Sequence, residues 1–358
     1  MSPKKERIIF LDYLRVFAII SVLLCHSTQA IYVFETDYVK SISAQSKYML
    51  LTLFTCGRMF GVPIFLMITG YLLLGKEYND ERIVRFWKNS WLHLVICTMI
   101  WFLIYDIFLL VRHEQDMPLT DIVKDVLFLH KVNFDHVWYM PMIIGYYLLI
   151  PFVSNAIRSV KNPGIILFPV ILIFYMSSII SFVDLCFQIS GKNPLEQKIS
   201  LGFSGGIYGI YIILGYLLKR EWSLRRWQKT ALLLTAALAV AISVLVTNKV
   251  INANIAVELW YDSPFIVIGS IALFILATQI NFPSKINGAV VWLSKYSFAV
   301  YLIHMMVKNV SVGYITRLGI KKPMQVVVLE IVMLIGGYVL AFLISKIPKI
   351  GKYILYLK

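Results

Sequence analysis

The sequence predicts an all-α membrane protein with about ten transmembrane helices and both termini cytoplasmic, on three observations. The 358 residues are 59% hydrophobic and only 15% charged, against nearer half and a quarter in soluble domains. Apolar runs long enough to cross a bilayer as helices recur along the chain. Between those runs the basic residues fall on alternate sides. With the N-terminus inside, the inner segments carry a net charge of about +14 and the outer ones about +1, the asymmetry that orients membrane helices.

The expected spans are 8–31, 49–74, 91–111, 137–154, 164–182, 205–218, 231–247, 263–280, 290–306 and 323–345. The sixth is short, and the ninth has room to begin later and absorb Lys308. The longest outer connection, 112–136, is acidic and has room for a short helix over 120–129. Asn193-Pro194 and Gly202 to Gly206 mark outer loops. Inside, 75–90 and 219–229 are basic and suit interfacial helices. No repeat or soluble domain stands out, so the chain reads as a single integral membrane domain over residues 1–358.

The composition also bounds function. The net charge of +15 would suit nucleic acid if it were evenly spread; its inner bias makes it a topology signal, with anionic lipid headgroups or phosphorylated co-substrates as its partners, and no nucleic acid. Cys25, Cys56, Cys97 and Cys186 lie in or beside spans without paired spacing, so neither a disulfide framework nor a metal site is indicated. The first apolar segment carries Asp12, Arg15 and His26, too much charge for a cleaved signal peptide.

Ionisable groups at membrane depth are costly, which makes them candidates for function. Arg15 and His26 share a helix face, because eleven steps of 100° end about 20° past three turns. They stand about 16 Å apart along the axis. His26 suits a general base, or a histidine bonded between helices as packing glue. Asp12, one turn before Arg15, suits a salt bridge that holds the guanidinium. Arg58, at about the depth of His26, suits an oxyanion stabiliser or a side chain reaching for the interface. The stretch Gly61 to Gly70, with Pro63, should kink its helix and allow close packing.

Arg82 and Arg85, spaced i,i+3 on an inner helix, form a fork suited to phosphate, or merely follow the inside-positive pattern. His136, Trp138 and Tyr139 open the fourth span, as an aromatic belt or as acceptor contacts. Ser297, Tyr301 and His304 fall near one face of the ninth, as cavity lining or as interhelical glue.

Together these residues resemble the acyltransferase-3 family of integral membrane acyltransferases, over essentially the whole chain. Asp12-Tyr13-Leu14-Arg15, ten residues and His26 are similar to the family's R/K-x10-H signature. Arg58 through Gly70 is similar to its "vplFFmiSGyll" stretch, with Leu66 and Thr69 where Phe and Ser are usual. Arg82-Ile-Val-Arg85 resembles its R-x-x-R element. His136-Val-Trp138-Tyr139 with Tyr147 and Pro151, then Ser297 through His304, complete the order. The chain most resembles the short branch that includes polysaccharide O-acetyltransferases. The resemblance implies transfer of an acyl group, acetyl in the first instance, from cytoplasmic acetyl-CoA to a hydroxyl of an envelope glycan or glycolipid in the bacterial cytoplasmic (inner) membrane, without a metal. It makes His26 the catalytic histidine and Arg15 its signature partner, and assigns Arg82 and Arg85 to the coenzyme A phosphates. An acyl-enzyme on Ser297 is the less favoured route, since no neighbouring base is evident. A glycan permease with the same residues along its path, and a structural or sensory protein, are the readings from other classes.

Overall fold

The computed structural model describes residues 7–32, 36–130, 134, 136–195, 206–219, 223–255, 259–348 and 350–357. Among the described residues the regular structure is helical, with no strand. In chain order the helices are α1 (Ile9–Tyr32), α2 (Thr36–Ser41), α3 (Ala44–Phe60), α4 (Val62–Leu73), α5 (Asp80–Phe86), α6 (Leu92–Val111), α7 (Leu119–Val126) and α8 (Tyr139–Ser159). There follow α9 (Pro163–Phe174), α10 (Ile180–Ile189), α11 (Gly206–Leu217), α12 (Arg226–Asn252), α13 (Pro264–Thr278), α14 (Asn287–Thr316), α15 (Lys322–Ser345) and α16 (Ile350–Ile354). π-turns at Trp87–Trp91 and Tyr175–Ile179 join α5 to α6 and α9 to α10.

Among the described residues, eight helical segments are long and apolar enough to cross a membrane. The expected sixth and eighth spans are present as α11 and α13, of 12 and 15 residues, shorter than that length. The fourth, fifth and seventh spans extend past their expected ends, to Ser159, Ile189 and Asn252; three further revisions bear on the site. The second span starts at Ala44 and breaks at Gly61 between α3 and α4. The third runs unbroken from Asp80 to Val111, so Arg82 and Arg85 sit on an extension of a span rather than on a separate interfacial helix. The ninth covers Asn287–Thr316 and includes Lys308. The outer connection forms α7 close to where it was expected. Most of the Gly202–Gly206 loop lies outside the described residues, as do residues 220–222 of the expected 219–229 helix.

The chain divides into two compact units. The first is Met1–Leu74, Val160–Ser294 and Lys321–Val326; the second is Gly75–Ser159, Lys295–Ile320 and Val327–Lys358. In the first, α1 packs on α3 and α4 on α11. The α4–α11 crossing is backbone on backbone: a Cβ at Gly70 would lie 1.7 Å from the Ile212 carbonyl oxygen, and one at Gly215 1.9 Å from that of Met67. Small residues let membrane helices approach this closely. The break between α3 and α4 follows from Pro63, which lacks the N–H that the Met59 carbonyl would otherwise accept. Ser270 Oγ of α13 lies 2.6 Å from both that carbonyl and the Ile266 carbonyl of its own helix, so its single hydrogen serves the two.

In the second unit α7 packs on α6, with Phe128 edge-on to Phe102 at 5.3 Å. Asp106 of α6 and Asp125 of α7 are 0% and 3% exposed. Helix α16 seats on α6, where Trp101 Nε1 and Cys97 Sγ donate to the Ile354 carbonyl at 2.7 and 3.2 Å.

Candidate active site

In the first unit the chemistry centres on α1. Asp12 is 1% exposed. Arg7 grips it through both Nε and Nη2 at 2.7 and 2.9 Å, Arg15 Nη1 approaches at 3.3 Å, and Ser294 Oγ donates at 2.6 Å. The i,i+3 pairing of Asp12 with Arg15 was expected from spacing. Arg7 and Ser294 were not: Arg7 precedes the helix, and Ser294 is brought in from α14. A bidentate guanidinium and a hydroxyl are the partners a buried carboxylate needs to stay charged.

His26 lies further along the same helix, half-buried. The backbone beside it is pressed close to α3: a Cβ at Gly57 would lie 2.7 Å from the Cys25 amide nitrogen and 2.8 Å from the Ser21 carbonyl oxygen. Glycine at 57 therefore sets how near α3 approaches the His26 turn.

Arg58 follows at once on α3 and is 5% exposed. Its Nη1 donates to the Leu259 carbonyl at 2.7 Å, and its guanidinium carbon sits 4.3 Å from the ring centroids of both Phe54 and Trp260. Trp260 is fixed in turn by its Nε1–H on Tyr208 Oη at 2.8 Å. Arg58 thus ties the connection ahead of α13 to α3, with its charge held between aromatic faces.

The second unit gathers Trp138, Tyr139, Ser297 and Tyr301 around two histidines. His136 and His304 are 2% and 0% exposed, with ring centroids 4.9 Å apart. Tyr105 Oη has one hydrogen and lies 2.6 Å from the Leu302 carbonyl, which can only accept. Its contact with His136 Nε2 at 3.0 Å is therefore donated by the imidazole. Tyr301 Oη donates to the His136 carbonyl at 2.6 Å, and His304 Nδ1 donates to the Tyr301 carbonyl. These bonds fix one proton on Nε2 of His136 and one on Nδ1 of His304. Tyr139 packs edge-on to Tyr301 at 5.5 Å, Trp138 lies against Tyr139, and Ser297 is buried one turn before Tyr301. Tyr105 had no local signal, because its partners come from elsewhere in the chain.

Arg82 and Arg85 are both exposed but face different neighbours. Arg82 Nη1 reaches the Glu77 carbonyl at 3.3 Å and its carboxylate at 4.0 Å, which Arg158 also binds at 3.0 Å. Arg85 instead lines an open groove of about 590 Å³ with Asp80, Glu81, Val84, Lys88 and Asn89. Lys88, one turn past Arg85, is the basic neighbour the R-x-x-R spacing did not reveal. Just upstream, burial and then the neighbouring Tyr147 push the Tyr78 hydroxyl up to about 12. Its backbone N–H and carbonyl are clamped by the Asn155 carboxamide at 2.9 and 2.6 Å.

Compared with known families, residues 8–346 match the acyltransferase domain of the acyltransferase-3 family. The chain belongs to that family. It is therefore a multi-pass membrane acyltransferase, with an acyl donor and an acceptor as substrates. Comparison with curated protein sequences and with solved structures gives no match. Within this acyltransferase, the Asp12–Arg15–His26 helix and Arg58 belong to the first unit, while the Arg85 groove and the His136–His304 cluster belong to the second.

Proposed function

We propose that the protein is an O-acetyltransferase of the bacterial cytoplasmic membrane, taking an acetyl group from acetyl-CoA on the cytoplasmic side and placing it on a hydroxyl of an envelope glycan or glycolipid. The observation that carries the reading is the arrangement of α1. A histidine shares this helix with an arginine held by a buried, multiply bonded aspartate, and the helix lies inside a family match of nearly full length.

His26 takes the proton of the acceptor hydroxyl as its oxygen attacks the thioester carbonyl. The C–O bond forms, and the carbonyl oxygen carries the negative charge, opposed by the fixed cation of Arg58 or by a backbone amide. Collapse re-forms the carbonyl, breaks the C–S bond and releases coenzyme A, whose sulfur takes the proton back from the imidazolium. Arg85 and Lys88, with Arg82 alongside, bind the coenzyme A phosphates. The polar and aromatic groups around His136 and His304, with Trp138, Tyr139, Ser297 and Tyr301, serve the acceptor.

His26→Ala should insert normally and lose transfer by about 10²- to 10⁴-fold, the usual contribution of a positioned base. Release of free coenzyme A from acetyl-CoA by purified protein with envelope glycan is the measurement. Near-normal release from the variant would sink the mechanism.

A further inference from the structure

Helix α16 ends in a left-handed residue that is not glycine. Leu357 N–H bonds the Lys352 carbonyl at 3.0 Å and Tyr356 N–H bonds that of Tyr353 at 3.4 Å. These are the paired bonds of a Schellman cap, whose left-handed position is here Tyr356, with φ of 50°. Glycine is usual there because a Cβ disfavours that conformation. A backbone cost of this kind persists only where the surrounding contacts of the residue outweigh it.

The Tyr356 side chain is fully engaged. Its ring packs on His93 at 4.9 Å and on Phe298 at 5.6 Å, and its hydroxyl donates to the Ser90 carbonyl at 3.1 Å. Burial, ahead of smaller effects from Tyr147, raises its pKa, so the hydroxyl keeps the proton it donates. Ser90 sits inside the π-turn Trp87–Trp91, where Leu92 N–H bonds the Trp87 carbonyl five residues back. One extra residue in a turn rotates the preceding face by about 100°. The π-turn therefore decides which way Arg85 on α5, and Lys88 within the turn itself, face relative to α6. On its other side the turn is pinned by Trp87 Nε1 on the Leu148 carbonyl at 3.1 Å and by Phe86 stacked on Tyr147.

We infer that Tyr356 is a positioning residue for the donor site, its hydroxyl on Ser90 holding the π-turn in the register that aims Arg85 and Lys88 into their groove. The inference rests on the reading of that groove as the coenzyme A phosphate site.

The test is binding of coenzyme A, and of phosphate-free pantetheine by competition, to purified protein in lipid nanodiscs. Tyr356→Phe keeps the ring, so only the hydroxyl is lost. Coenzyme A should weaken about fivefold, the loss of one hydrogen bond, while pantetheine is unchanged. The paired variant Arg85→Ala/Lys88→Ala should weaken coenzyme A by about tenfold or more. If the paired variant weakens coenzyme A and Tyr356→Phe does not, the positioning role is overturned and the donor site stands. Equal weakening of coenzyme A and pantetheine by Tyr356→Phe would show a general packing role and also overturn it. Unchanged coenzyme A affinity in the paired variant would remove the donor-site reading and this inference together.

Discussion

A carboxylate 1% exposed within a membrane-spanning helix keeps its charge only while cations and hydroxyls surround it. For Asp12 those partners are Arg7, Arg15 and Ser294. Asp12→Asn keeps the shape but removes the charge and one acceptor, leaving Arg7 and Ser294 to compete for a single oxygen. The side chains of Arg7 and Arg15 are 52% and 28% exposed, so part of their loss is made good by water. The expected cost is about 2 kcal/mol, read as a thermal midpoint lower by several degrees in detergent. An unchanged midpoint would show that the network contributes nothing to folding. The same network marks a limit of sequence reading. The Asp12–Arg15 pair follows from i,i+3 spacing, but Ser294 is 282 positions away, and no local pattern joins residues that far apart.

Among elements, the apolar runs announced the membrane helices because lipid demands length and hydrophobicity, which composition records. Pro63 announced the α3–α4 break for a similar reason, since a missing N–H is a property of the residue. The π-turn after α5 was not legible, because one inserted residue changes register without changing composition. Nor was the place of α7 against α6, which brings Asp125 into a buried position beside the buried Asp106. For Asp125, burial raises the pKa most. His130, at 3.8 Å, opposes that rise, with smaller opposed effects from Asp121 and Lys124. An acid whose folded pKa is raised favours the docked form when protonated. Its stabilisation is thus complete below the unfolded value near ~4 and is lost as pH rises through the folded one. Amide exchange in α7, corrected for its intrinsic pH dependence, should therefore lose protection as pH rises above about 4. Asp125→Asn should hold α7 docked across that range. Protection that increases with pH in the native protein would contradict this account.

At the scale of the whole molecule, the open quantity is the number of crossings. At 1.5 Å per residue the 12 residues of α11 and the 15 of α13 span about 18 and 22 Å, less than the roughly 30 Å hydrocarbon layer. Eight crossings and ten both leave the termini on one side, so terminal placement does not distinguish them. The connections do. If α11 and α13 both cross, the connection carrying Lys219 and Arg225, together with Arg226 and Lys229 at the start of α12, lies inside, and Asn254 after α12 lies outside. If neither crosses, those two positions exchange sides and a basic cluster stands outside, against the usual orientation. Helix α11 is also seated backbone-to-backbone on α4 through Gly70 and Gly215, a packing suited to a helix within the bilayer. Ten crossings are therefore expected. Single-cysteine variants at 229 and 254, labelled in intact cells by a membrane-impermeant maleimide, give the measurement. Asn254→Cys should label and Lys229→Cys should not; the reverse pattern would establish eight crossings.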